Sequence, residues 1–183
     1  PHMSNELPYF TKFRDFEAHG RILKREDIYG SGPPNESPSP IAMSLVKAHA
    51  GNSVLDVGCG IGANMREMTR LGHSCEGVEA NPVHVDIARE RGLHVHCMDA
   101  TNLEFSDGQF DTVILIEVLE HVSDPRQVLA EVFRVARVNV IVTVPNIDVI
   151  PLMYEHHVVP WHLLESTHVN FFTPRILEQT LAE

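Results

Sequence analysis

The feature that most restricts how this chain can fold is an apolar run that passes straight into a glycine-rich turn, SVLDVGCGIG, from Ser53 to Gly62. Gly51-Asn52 breaks the chain just ahead of it, so Ser53 to Val57 reads as a buried strand. Glycines at 58, 60 and 62 permit a tight turn and a close approach of backbone to a ligand. Beyond this point strand-like and helix-like segments alternate. Strands are predicted near 53–57, 74–79, 93–97, 111–116 and 138–144, and helices near 62–71, 82–91, 125–136 and 174–182. Asp124-Pro125 and Thr173-Pro174 supply an N-cap and a first-turn proline to the last two helices. Such alternation implies βαβ crossovers that bury a parallel sheet between two helical layers. The expected class is α/β, a doubly wound and mostly parallel sheet.

The 183 residues match a single hydrophobic core. Residues 1–50 read as an N-terminal helical arm followed by a lid loop, because GSGPPNESPSP at 30–40 admits neither regular helix nor strand. A helical pattern resumes over 41–50. Residues 51–183 form the binding domain, in which 145–173 is a His- and aromatic-rich insertion on the substrate side. Pro1 and His2, ahead of Met3, read as remnants of cloning. No apolar run is long enough to span a membrane and no apolar signal core precedes the domain, so a cytoplasmic location is expected. Fourteen Lys and Arg against 25 Asp and Glu give a net charge of -11, the reverse of a phosphate-binding balance, so nucleic acid is disfavoured as a partner. Cys59, Cys75 and Cys97 are odd in number and lack metal-type spacing, and so are expected to be free thiols.

Three strand ends carry the candidate binding residues. Asp56, two residues before Gly58, places a carboxylate where it attracts a cationic ligand end such as an α-amino group and repels a pyrophosphate. The Gly58-x-Gly60-x-Gly62 spacing also differs from the Gly-x-Gly-x-x-Gly of dinucleotide folds, which argues against a nicotinamide dehydrogenase. Glu79, in GVEAN with Ala80, ends the second strand and suits two hydrogen bonds from ribose hydroxyls. Asp99 and Ala100, in CMDATNLEF, stand where a loop can meet an adenine amino group and face. Three loops thus address three parts of one nucleoside.

The stretches VLDVGCGIG, GVEANP, MDATNLEF and FDTVILIEVLEHVSDP resemble, in order and spacing, the class I S-adenosylmethionine (SAM) dependent methyltransferases. The likeness is greatest to the broad bacterial group that includes the ubiquinone-biosynthesis enzymes. It implies a Rossmann-like sheet and SAM as cofactor, with Asp56, Gly58, Cys59, Gly60, Gly62, Glu79, Ala80, Asp99, Ala100 and Glu117 around it. The family sheet has seven strands, so the resemblance implies truncation after the fifth strand here. A small-molecule substrate methylated at oxygen is the expectation. A catalytically silent SAM-binding partner subunit is the alternative from another class.

EVLEH, after the fourth strand, offers Glu117, Glu120 and His121 at i, i+3 and i+4, a spacing that shares one face of a helical turn. In one reading Glu117 backs the methionine end of the cofactor, Glu120 is solvated and His121 packs or hydrogen-bonds. In another, His121 is a general base, since an unperturbed imidazole pKa of about 6.5 suits proton removal. The element also resembles one in small-RNA 3′-end 2′-O-methyltransferases, which implies a divalent ion completed by His156, His157, His162 or His168. No metal is expected, because nothing besides EVLEH requires one. HVNFFTP (168–174) is similar to a segment of bacterial enzymes acting on sugars and small metabolites, and Phe171 and Phe172 equally suit a core anchor. Together with Tyr154, Trp161 and His162 the 145–173 segment is expected to roof the substrate pocket.

Overall fold

The computed structural model describes residues 36–157 and 167–182. The arm predicted ahead of residue 30, most of the 30–40 loop, Trp161 and His162 lie outside the described residues. In chain order come α1 (Pro40–His49), β1 (Ser53–Val57), α2 (Ala63–Arg70), β2 (Ser74–Glu79), α3 (Pro82–Glu90), β3 (Val95–Cys97) and β4 (Phe110–Ile116). Then follow α4 (Pro125–Val135), β5 (Ala136–Thr143), a 3-10 turn (Ile147–Val149), α5 (Ile150–Glu155) and α6 (Pro174–Ala182).

All five strands are parallel, in the order β3-β2-β1-β4-β5. Successive side chains of a strand point to opposite faces, and the two cores follow that rule. Leu55, Val57, Val113 and Leu115 face Val128, Leu129, Val132 and Val135 of α4, with Leu177 and Leu181 of α6 packed alongside. Val54, Ile114 and Ile141 face the other way, onto Ala42, Met43 and Val46 of α1, Met65 and Met68 of α2, and Val85 and Ala88 of α3. Helix α1 is therefore part of a helical layer of the sheet, and the packed domain begins ahead of the boundary at 51 read from the sequence.

Local chemistry explains where the helices start. Ser39, Asn81 and Asp124 each accept a first-turn backbone N–H, and a proline occupies the first turn of α1, α3 and α4. Thr173 Oγ1 does the same for α6, accepting from Ile176 N at 3.1 Å. The strands differ from expectation only at their ends. Strand β3 begins at Val95 because Gly92 and Leu93 close α3, and β5 begins at Ala136, directly out of α4.

A parallel sheet puts every strand's C-terminal end on one edge. The strand order reverses between β1 and β4, and at such a switch point the loops diverge and leave a crevice. The loops after β1, β2, β3 and β4 are those that carry the residues singled out above. At the opposite edge Asp111 accepts the N–H groups of Asn52 and Ser53 at 2.9 and 3.1 Å and pairs with Arg137, so the N-terminal ends of β1 and β4 are locked together. The Arg137 guanidinium holds the Asp111 carboxyl below the usual carboxylate range.

Candidate functional site

The glycine loop is built for close approach. Gly58, Gly60 and Gly62 all have positive φ, at 75°, 55° and 82°. A Cβ on Gly58 would stand 2.6 Å from a Val118 methyl, and one on Gly62 would overlap Leu93, whereas nothing among the described residues lies within 4 Å of the Cβ position of Gly60. The first and third glycines are thus needed for packing, and the middle one faces open space. Gly58 N and Cys59 N both donate to Val78 O, which binds the loop to the end of β2.

Glu79 fastens the loop from the side. Its Oε2 accepts from Gly60 N and its Oε1 from Asn81 N, both at 2.8 Å. A carboxylate has about four lone-pair sites, so two remain for hydroxyl donors. Ala80, next to it, is exposed. Across the neighbouring loop Asp99 is also exposed, and its Oδ1 accepts the N–H and the hydroxyl of Thr101, both at 2.8 Å. Those bonds, the backbone one foremost, hold its carboxyl below the ordinary range. Ala100 packs against the core beneath.

Asp56 sits lower than its sequence position suggests. It is only 1% exposed, and its Oδ2 has no hydrogen-bond partner among the described residues. Burial, with the Glu79 charge second, pushes its pKa up to about 8. A buried and unpartnered carboxylate oxygen beneath the loop fits a cationic ligand end above it. Cys59, 7% exposed, has its thiol pushed far up by burial first and then by Asp56, so it is an inert packing group.

After β4 the structure departs from the helical turn expected for EVLEH. Glu117 has φ 56°, its N–H donates to Thr143 O, and its Oε1 accepts from Thr143 Oγ1 at 2.9 Å. This left-handed residue turns the chain out of the strand and sets Glu117 exposed at the edge, with Glu120 folded inward. Glu120 is 1% exposed, with both carboxylate oxygens unpartnered among the described residues, so the expectation that it is solvated is corrected. The cause is the tight turn, which directs its side chain under His121 in place of solvent. Burial, and the facing Glu117 after it, raises the Glu120 pKa to about 8.

His121 Nε2 lies 4.0 Å from Glu120 Oε1 and the ring remains partly exposed. The His168 ring meets it edge-on at 4.7 Å between centroids. Glu120, His121 and His168 bring one ligand atom each within 4.8 Å of one another. Of His156, His157 and His168, the candidates among the described residues, the fold brings His168 to this position; His162 lies outside the described residues.

Residues that the sequence did not single out secure this arrangement. Asn170 Nδ2 donates to Leu119 O and Val122 O at 2.9 and 2.6 Å, and Val169 N and Asn170 N donate to Glu120 O. HVNFFTP is thereby clamped onto the EVLEHV turn. Arg134 donates to Leu103 O and Phe105 O, both at 2.7 Å, and pairs with Glu131 and Asp107, which holds the segment downstream of Asp99. Its i,i+3 spacing from Glu131 was the available sign of the pair, whereas nothing in the sequence marks Asn170.

A family model described as a methyltransferase domain matches residues 35–183. The ubiquinone biosynthesis O-methyltransferase of Erwinia tasmaniensis is 34% identical over 114 residues, which is 56% of this chain and 47% of that protein. Norajmaline N-methyltransferase of Rauvolfia serpentina is 34% identical over 113 residues, 57% of this chain and 36% of that protein. The chain thus spans about half the length, or less, of these curated relatives. A Thermotoga maritima structure described as a SAM-dependent methyltransferase and possible histamine N-methyltransferase has a TM-score of 0.64 at 20% identity, covering 94% of this chain and 77% of that one, a likeness of fold. With the matched family running from just ahead of α1 through α6 over a doubly wound parallel sheet, this chain belongs to the class I SAM-dependent methyltransferases.

Proposed function

We propose that the protein transfers a methyl group from SAM to a small-molecule acceptor, at oxygen. The observation that carries this is the glycine loop fastened by Glu79 over the buried, half-unpartnered carboxylate of Asp56, at the sheet's switch point. Curated relatives named as O- and N-methyltransferases of small molecules support methyl transfer and leave both acceptor atoms open to test. SAM supplies an activated methyl on a sulfonium. Asp56, Gly58, Gly60 and Glu117 would hold the methionine end, Glu79 the ribose, and Asp99 and Ala100 the adenine. No role beyond packing is needed from Cys59, and Ala80 borders the ribose side.

In-line displacement asks mainly that the acceptor be held about 3 to 3.5 Å from the methyl group. The acceptor's oxygen forms the new bond to carbon as the carbon–sulfur bond breaks, and the acceptor proton must leave. His121, at the strand edge and partly exposed, takes that proton as general base. Residues 145–157 would roof the acceptor, as the exposed side chains of Val149, Leu152 and Tyr154 suit. Incubation with labelled SAM and a metabolite panel tests this reading, and exclusive labelling of amines would overturn oxygen as acceptor.

A second reading rests on the Glu120 carboxylate, unpartnered among the described residues, beside His121 and His168. Two imidazoles and a carboxylate suit a divalent ion such as Mn²⁺ or Fe²⁺, with Glu117 nearby as a further donor. That is the arrangement of metal-assisted RNA 2′-O-methylation, although the acidic balance of this chain opposes RNA. A chelator separates the two. For a base, His121→Ala lowers turnover about 10²- to 10⁴-fold and chelator has no effect. For a metal, chelator abolishes turnover reversibly and Glu120→Ala is as damaging as His121→Ala.

A further inference from the structure

A second cluster of potential ligands lies away from the glycine loop, on the outer part of the sheet. Glu76 in the middle of β2 and His94 and His96 at edge strand β3 project from the same side, because residues two apart in an extended chain share a face. Both imidazoles aim at one atom. His96 Nε2 stands 2.7 Å and His94 Nδ1 3.3 Å from Glu76 Oε2, and one ligand atom from each residue falls within 4.8 Å of the others. The His96 ring is steadied by an edge-on contact with Phe105, centroids 5.2 Å apart, and Phe105 in turn packs edge-on against Phe110. The His94 side chain is 68% exposed, which leaves an open path from solvent.

We propose that Glu76, His94 and His96 form a binding site for a divalent transition ion of the Zn²⁺ class. Zinc takes imidazole nitrogen and carboxylate oxygen at about 2.0 to 2.2 Å in a tetrahedron, so its donors stand about 3.3 Å apart. The two separations from Glu76 Oε2, 2.7 and 3.3 Å, lie at or just below that value, so small side-chain rotations suffice to admit the ion. Two imidazoles disfavour Mg²⁺ and Ca²⁺, which prefer all-oxygen shells. Three protein donors leave the fourth position to water.

The ion has a structural consequence that can be read directly. Strand β3 pairs with β2 through only three residue pairs, Gly77 with Val95, Val78 with His96 and Glu79 with Cys97. Side-chain ligation across the same two strands adds a second tie at the sheet's edge.

The test is titration of the intact protein with zinc sulfate by calorimetry, alongside His94→Ala, His96→Ala and Glu76→Gln, with His121→Ala to report on the other cluster. One equivalent of Zn²⁺ should bind and weaken at least tenfold in each of the first three variants and stay unchanged in His121→Ala. Amide exchange at 95–97 should slow on adding Zn²⁺ to the unsubstituted protein and not to His94→Ala, whose exposed position spares the fold. Zinc binding that survives both histidine substitutions, or that is lost in His121→Ala alone, would overturn the proposal. So would unaltered exchange at 95–97 in the zinc-loaded protein.

Discussion

Asp56 is the residue whose environment says most about ligand charge. Its pKa rises from an ordinary 3.8 to about 8 in the folded chain, chiefly through burial. The folded state therefore binds this proton more tightly than the unfolded state. Its contribution to stability is fully present below the ordinary carboxylate range and is lost as pH rises through about 8. Without ligand, Asp56→Asn should be more stable than the original at pH 8 to 9, by on the order of a few kcal/mol, and the gap should close toward pH 4. Thermal melts across that range check it. A cationic ligand end favours the ionised form, so SAM affinity should rise between pH 6.5 and 8.5, and Asp56→Asn should flatten the rise. The position of Asp56 was legible because a strand ending in glycines fixes where the side chain stands. Its burial was not legible, nor that of Glu120, because an acidic residue gives no sign of which way a tight turn will direct it. At Glu117 the single left-handed φ decides that direction, and an i, i+3, i+4 spacing holds its meaning only where the chain is helical.

Between elements, the docking of the C-terminal segment is the connection that most affects the site. Phe172 is 4% exposed, lies in the core and bridges to Asn146, whereas Phe171 is 42% exposed beside Asp124 and Ile176. Only one of the two aromatics serves as the anchor. Phe172→Ala should cost about 3 to 5 kcal/mol, as truncations of buried aromatics do, and Phe171→Ala should stay within about 0.5 kcal/mol. Asn170→Ala leaves the carbonyls of Leu119 and Val122 without this donor, at about 1 to 3 kcal/mol. It should also lower turnover more than its loss of stability explains, since the His121 and His168 rings depend on the clamp for their approach. Denaturant titration and steady-state rates on the three variants check these outcomes. Elements of this kind were legible where periodicity is strong: the five strands, their helices and the two proline-led caps follow from the sequence pattern. The clamp was not, because a hydrogen bond between residues 48 and 51 positions apart leaves no local pattern.

Across the whole molecule the two edges of the sheet are built for opposite purposes. At the N-terminal edge polar groups are matched: Asp111 with Arg137 and two backbone N–H groups, Thr112 with Asn139, and Asn139 with His49 O. Toward the C-terminal edge, within one turn of the strand ends, Asp56 and Glu120 are buried with oxygens that have no partner among the described residues. An unmatched buried carboxyl group lowers stability and persists where a ligand or a reaction makes use of it. Stability and binding should therefore separate by edge. Asp111→Ala should lower the melting midpoint while leaving SAM affinity of the folded fraction unchanged, because it touches none of the four loops. Glu79→Ala should do the reverse. It removes an acceptor from Gly60 N and from the ribose hydroxyls, so SAM affinity should fall at least tenfold, about 1.4 kcal/mol or more, with a smaller change in melting. Calorimetry with SAM and thermal melts on the same two variants decide the matter. Equal losses of affinity in both would mean that the edges are not independent, and an unchanged affinity in Glu79→Ala would remove SAM from the crevice above Gly60.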